Sequence, residues 1–329
     1  MNREYNSGKS SSLATIQKVH LSQKEYKMPF PKRKRFVYKN NQLNSVVCQL
    51  RYPPILRIDS EVPAIFQEAI RQEYPLYIEK TEFLPNAPSG VKAQFPQEAQ
   101  IQVASTGSLK NHEFCTEDKS WRINLARTFL AVSTSKYNRW EEFSDRFTRA
   151  YEKLLHIYEP PFFTRIGLRY TDIFVRSKLG LADVKWADLL QPPFLGLISS
   201  DVGEEIRSFD SVYEVWLSDS ESVVRIALSL AVDIATKEQC FVVDSDFFSA
   251  GKTPVDTHGQ ARGTLQFNLR LTPFGRLLIH PRVNPWNSAL RVRLEGVSSR
   301  LEFLHVNASN LIQSIISPRL HDAMEPQEI

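Results

Sequence analysis

Apolar and polar positions alternate along several short runs of this 329-residue chain, and two longer runs change to helical spacing. Val46, Cys48, Leu50 and Tyr52 share one side of a predicted half-buried strand, which Pro53-Pro54 ends. Val62, Ile65, Phe66 and Ile70 then fall at helical spacing, with Asp59 or Ser60 as the predicted cap. Leu76 to Ile78 reads as a short strand. Residues 82–99, with three prolines and a glycine, read as a loop. Strands are predicted at Ile101–Val103, at His112–Phe114, over Trp121, Ile123 and Leu125, and over Phe129–Thr134. Trp140, Phe143, Phe147, Ala150, Leu154 and Tyr158 make the clearest helical stripe, with Asn138 and Glu141 as a capping pair and Pro160-Pro161 as the stop.

The order strand, helix, strands, long helix then recurs. Phe163–Val175 is a strong strand, and Asp183 caps a short predicted helix running to Leu190. Strands follow at Val212–Leu217, Val223–Val232 and Cys240–Phe247. A loop covers 250–263, and further strands are expected at Leu265–Leu271, Arg276–His280 and Leu290–Leu294. Leu301, Leu304, Ala308, Leu311, Ile312 and Ile315 form the face of a last helix. The expected fold class is therefore α+β: two similar halves, 40–161 and 162–329, each an antiparallel sheet with a short and a long helix, and extra strands around 251–297 in the second. The same element order occurs in each half of saddle-shaped folds of the TATA-binding-protein type, an analogy that carries no function.

Charge changes the picture at the N-terminus. Residues 1–39 hold ten lysines and arginines against two glutamates, a net of +8; the whole chain is +4, so residues 40–329 carry −4. The pI near 8.8 thus describes a basic arm on a mildly acidic body. The arm is Ser-rich and poorly hydrophobic, which predicts disorder over 1–39, with order beginning at Phe36–Tyr38. Lys32, Arg33, Lys34 and Arg35 lie among Phe30, Phe36 and Tyr38, a mixture suited to phosphate contact and base stacking, so nucleic acid is a candidate partner through 27–39. The alternative is an arm that docks on an acidic protein surface, its own or a second subunit's. No run is apolar enough for a membrane helix and the N-terminus has no signal-peptide pattern, which predicts a cytoplasmic protein without membrane contact.

Composition removes several chemistries. Cys48, Cys115 and Cys240 are isolated, which argues against a disulfide framework or a cysteine metal site; Cys48 belongs to the apolar side of its strand. Twelve glycines are few against a usual share of about 7%, too few for a phosphate-cradling loop. Gly251-Lys252-Thr253 lacks the earlier glycine of a P-loop, Asp246 standing in its place. His20, His112, His156, His258, His280, His305 and His321 show no metal-binding spacing, and His258 alone falls in a polar loop.

Two pairs remain. Arg165 and Arg169 share a strand face with only Gly167 between them and could hold an anion, or else pair across the sheet with carboxylates such as Asp172 or Glu214. Asp244 and Asp246 also share a face and could hold Mg²⁺ for phosphodiester cleavage, given a third acid and a cation such as Lys252; alternatively they make turn and capping bonds.

Four segments carry a resemblance: Asn44–Ile55, Trp121–Phe143, Thr164-Arg165-Ile166-Gly167-Leu168-Arg169-Tyr170, and Val242-Val243-Asp244-Ser245-Asp246-Phe247. Together they resemble a sporadically distributed prokaryotic family of uncharacterised proteins, over roughly 43–250 and the last helix. A glutamate common in that family's first strand is replaced around Asn44–Ser45, and 251–297 is more elaborate. The resemblance implies no activity, and the family's patchy distribution points to defence or toxin-related loci. The reading favoured by all of this is a non-enzymatic binding or assembly protein, acting with a protein partner encoded beside it or as a homo-oligomer. The alternatives are a metal-dependent nuclease or phosphodiesterase and a direct nucleic-acid binder.

Overall fold

The computed structural model describes residues 29–83, 108–254, 270–271, 277–278 and 285–329, with backbone alone at 82–83, 108–109, 252–254, 270–271, 277–278 and 285–295. Expectations for residues 1–28, the 84–99 part of the first loop, Ile101–Val103 and His258 lie outside the described residues, as does the side chain of Lys252. The elements run β1 (Phe36–Tyr38), β2 (Leu43–Arg51), α1 (Arg57–Ser60), α2 (Ala64–Ile70), β3 (Leu76–Phe83), β4 (Ser108–Cys115), β5 (Trp121–Ala126), β6 (Phe129–Thr134) and α3 (Trp140–Tyr158). They continue as β7 (Phe162–Phe174), α4 (Trp186–Leu189), β8 (Asp210–Trp216), β9 (Ser222–Val232), β10 (Gln239–Pro254), β11 (Arg270–Leu271), β12 (Leu277–Leu278), α5 (Pro285–Ile315), α6 (Pro318–Ala323) and β13 (Pro326–Glu328).

The fold is α+β. Nine antiparallel strands make one sheet in the order β3-β4-β5-β6-β2-β7-β10-β9-β8. Each half opens with a central strand, jumps to the sheet edge and returns inward: β2 then β3 to β6, β7 then β8 to β10. The two opening strands pair with each other, Val46 opposite Tyr170, Cys48 opposite Leu168 and Leu50 opposite Ile166. The duplicated order read from the sequence is thus a duplicated connectivity about the β2–β7 seam.

Alternation decides which side is core. Val46, Cys48, Leu50, Ile123, Leu130, Val132, Ile166, Leu168, Val224, Ile226, Val243 and Phe247 are buried beneath the sheet. The helices α3 and α5 cover that side, packing on β6, β7 and β10 and on each other. The predicted α3 stripe is buried from Trp140 to Leu154, with Tyr158 half-buried. Asn138 does not cap it: Arg139 holds the cap position without a side-chain bond, and the Asn138 amide donates to Glu142 at 2.9 Å. Glu159, at φ 46°, closes the helix in the left-handed region before Pro160. The cysteines are buried and free.

Further expectations need correction. Leu290–Leu294 is helical, not a strand. A five-residue alternating run is ambiguous, and Leu290, Leu294, Val297, Leu301 and Leu304 keep one 3–4 spacing within a helix that starts at Pro285, a residue suited to a first helical turn. Neither Asp59 nor Ser60 caps the second helix, because α1 absorbs both and α2 starts after Pro63; Val62 and Ile65 face solvent while Phe66 and Ile70 are buried. Finally, 29–39 is no free arm. Phe30 is 7% exposed within the core, and β1 pairs with β13, Phe36 opposite Glu328 and Tyr38 opposite Pro326. The elements α6 and β13, which receive it, were not read from the sequence. Ser317 caps α6, its hydroxyl accepting from the Leu320 amide at 3.3 Å.

Anchoring by Phe30 has a measurable consequence. Phe30→Ala is expected to lower global stability by about 3 kcal/mol in urea unfolding, as for a buried aromatic truncated to Ala. An unchanged midpoint would return these residues to a free arm.

Candidate functional site

The sheet face away from the helices carries the arginine and aspartate pairs. In the β7–β10 register Arg169 lies opposite Asp246 and Gly167 opposite Phe248. The bonds run diagonally: one Arg165 Nη donates to both Asp246 oxygens at 2.8 and 2.6 Å, and Arg169 Nε donates to Asp244 Oδ1 at 2.6 Å, with Nη2 on Oδ2. The bond to Asp244 raises the Arg169 pKa above the usual arginine value. Gly167 makes the first pair possible. A Cβ there would stand 2.2 Å from an Arg165 Nη, so the bare position lets the guanidinium lie along the strand, 4.6 Å above the centre of the Phe248 ring.

The two candidate sites therefore answer each other. Cross-strand pairing is present, but its carboxylates are Asp244 and Asp246. Asp172, three residues from Arg169, points to the opposite face, and Glu214 stands opposite Arg225 on the far strands. Among the described residues no group of three or more His, Cys, Asp or Glu side chains is placed to hold a metal ion. One tension remains on this face: Arg51 is directly opposite Arg165. Burial, then repulsion from Arg165, lowers the Arg51 pKa, and its Nε donates to Gln49 at 2.8 Å.

The basic segment spends much of its charge on the body. Lys34 bridges to Glu328 at 3.0 Å, Arg35 to Glu141 at 3.0 Å and Lys39 to Glu325 at 2.8 Å. The backbone is held as well: Arg33 N donates to Asn310 Oδ1 at 3.0 Å, and Ile329 N to Arg35 O at 3.2 Å. Lys32 and the Arg33 side chain stay exposed, with no ion pair among the described residues.

Docking of β1 completes a cleft that the sequence did not announce. It encloses about 860 Å³, solvent at its mouth included, between β1, the start of β2, β7, β10, the first turn of α3 and α5. Tyr38, Tyr137, Trp140 and Tyr170 supply aromatic walls, and Asp172, Ser245 and His305 supply polar ones. Trp140 stacks on His305, ring centres 4.3 Å apart and planes within 7°. Nδ1 of His305 is 2.9 Å from the Tyr170 hydroxyl. Burial, then repulsion from Arg35, lowers the His305 pKa to about 3, so the ring is neutral. Asp172 is 6% exposed, and its side chain makes no hydrogen bond or ion pair among the described residues. Burial alone raises its pKa to about 7.

The far sheet edge is the other unusual surface. No strand flanks the outer side of β8 among the described residues. On its open face Val212 is 54% and Trp216 56% exposed.

The bridges and the cleft are each open to measurement. Gly167→Ala is expected to displace Arg165 from Asp246 and cost about 1–2 kcal/mol in chemical denaturation, whereas Gly167→Ala in an Arg165→Ala background should cost clearly less. The pH profile tests the cleft. Asp172, with its folded pKa raised, favours the fold below its unfolded value near 3.8 and loses that contribution as pH rises through about 7. His305, with its folded pKa lowered, favours the fold above 6.5 and loses that contribution as pH falls toward about 3. The two slopes oppose each other between about 4 and 6.5. Asp172→Asn is therefore expected to make stability climb with pH across this range, gaining on the order of 2–4 kcal/mol over the parent by pH 8. Parallel profiles would refute the assignment.

Among the described residues no helix is long and apolar enough to cross a membrane. No protein-family model matches this chain, and no curated protein matches it either.

Proposed function

We propose that this protein is a binding and assembly protein, not an enzyme, and that it takes up a protein partner by strand addition at the β8 edge. The observation carrying this reading is the exposure of Val212 and Trp216 on a terminal strand with one side of its backbone unpaired among the described residues. Edge strands of soluble proteins are usually blunted by charge, proline, a bulge or a covering element; a long apolar edge is a template for another strand. On β8 the charges, Asp210 and Glu214, are interleaved with Val212, Tyr213 and Trp216, so the edge combines apolar anchors with acidic flanks. A strand alternating apolar and basic residues complements it. The partner is the product of a gene beside this one, as the family resemblance suggests.

The engagement of Asp244 and Asp246 by arginines favours this reading over metal-dependent phosphodiester cleavage, which would first have to break both ion pairs. The bridges made by Lys34, Arg35 and Lys39 likewise favour it over nucleic-acid binding through 27–39, since those cations are already neutralised.

Co-expression of the full chain with the products of adjacent genes, followed by size-exclusion chromatography with light scattering, tests the reading. A stable complex is expected, and the double substitution Val212→Lys, Trp216→Lys should weaken it at least tenfold while leaving the circular dichroism spectrum unchanged. A complex indifferent to that substitution, or the absence of any complex, overturns the proposal. Sedimentation of the chain alone identifies the case in which the added strand is a second copy's β8.

A further inference from the structure

The cleft beneath β1 has the construction of a ligand site. It lies apart from the β8 edge, and its role does not depend on the partner proposed there. Protein interiors rarely leave a polar side chain without a partner, and an unpartnered carboxyl is the most costly kind. Two such groups line this one cavity. Asp172, on β7, and Ser245, on β10, are 6% and 4% exposed, and neither side chain makes a hydrogen bond among the described residues. They are neighbours on the underside of the sheet, since Ser245 is opposite Tyr170 and Asp172 opposite Val243. The other polar groups of the wall are occupied. The Tyr38 hydroxyl is 2.9 Å from His321 Nδ1, and that of Tyr170 is 2.9 Å from His305 Nδ1. Asn41 donates to Tyr137 O and accepts from Leu43 N, both at 3.0 Å.

We propose that this cleft binds a compact organic cation, an amine or amidine on a flat apolar body, with its charged head on Asp172 and Ser245. The acceptors decide the charge: a carboxylate and a hydroxyl oxygen both want N–H donors, and a cationic donor returns the most to a desolvated carboxylate. The walls decide the body. Tyr38, Tyr137 and Tyr170 line the same cleft, and tyrosine faces attract cations while offering apolar area. His305 is held neutral by burial, so it does not compete as an internal counter-ion. Arg35 at the mouth is paired with Glu141 at 3.0 Å and does not reach in to neutralise Asp172. An anion would meet an acid at the cleft floor, and a metal ion would find a single carboxylate, with no cluster of three ligands among the described residues. The cavity proper, about 100 Å³, suits a small compact molecule.

Isothermal titration of the full chain with benzamidine, phenethylamine, benzamide and benzoate at pH 7.5 tests the proposal. Benzamidine or phenethylamine is expected to bind with a dissociation constant of millimolar or tighter, at least tenfold below that of benzamide, with benzoate silent. Asp172→Asn keeps the shape and removes the charge. It should cost the cations at least tenfold and bring benzamidine level with benzamide. Ser245→Ala should weaken the cations less, by about threefold. The comparison of amidine with amide on the parent protein needs no variant and stands if either substitution disturbs folding. The proposal fails if neither cation binds, if benzamide binds as well as benzamidine, or if a folded Asp172→Asn protein binds cations as tightly as the parent.

Discussion

The pairing of β2 with β7 sets everything else. Both halves hang from it, and its register assigns every side chain on the two strands to a face. With Cys48 opposite Leu168 and Leu50 opposite Ile166, apolar residues line the helix side and Arg165 and Arg169 take the other. A slip of one residue would drive both guanidiniums into the core and expose Ile166, Leu168 and Tyr170. Such a slip buries two charges and exposes three large apolar groups, so the register is strongly held. Asp172 rides on the same assignment: its even spacing from Tyr170 commits it to the covered side, whatever its charge costs there.

The second constraint is electrostatic. A chain with +8 in its first 39 residues and −4 elsewhere suggests an arm reaching outward. Locally the opposite happens. The C-terminal strand β13 and its flanks bring Glu325 and Glu328 beside Lys39 and Lys34, and the first turn of α3 brings Glu141 to Arg35. These exposed ion pairs are individually weak, being screened by solvent. The burial of Phe30 and the β1–β13 ladder do more to fix the segment, and the charges follow it into place.

How much of this was legible depended on the range of the signal. Period-two alternation at Val46–Tyr52, Trp121–Leu125 and Phe163–Val175 and the aromatic stripe of α3 identify elements locally, because each buries one face. The recurrence of element order revealed the two halves. Leu290–Leu294 was misread because a short alternating run fits two periods, and only Val297 and Leu301 beyond it extend the helical one. The docking of 29–39 was missed for a different reason: its receptor, β13, lies at the other end of the chain and has no apolar pattern of its own. The ion pairs were half visible. Each pair of like residues was seen on its own strand, but strand order decides that β10 lies beside β7, and only then do Asp244 and Asp246 become the partners of Arg169 and Arg165. The cleft left no local signal at all, since Asp172 and His305 are ordinary residues until topology brings them together.

Strand β10 links the regions. Its upper face carries Asp244 and Asp246, clamped to β7; its lower face carries Val243 and Ser245 in the cleft; its far side holds β9, which holds β8. A ligand drawing Ser245 and Asp172 together would tighten β10 against β7 from below, where the arginine bridges already tie the same strands from above. A partner strand on β8 would extend the sheet from the other end, two strands away. Both events act on one continuous hydrogen-bonded ladder through β9 and β10, and α5 gives a second route, since it lines the cleft and its Arg300 pairs with Asp219 and, at 2.9 Å, with Glu221 in the β8–β9 turn.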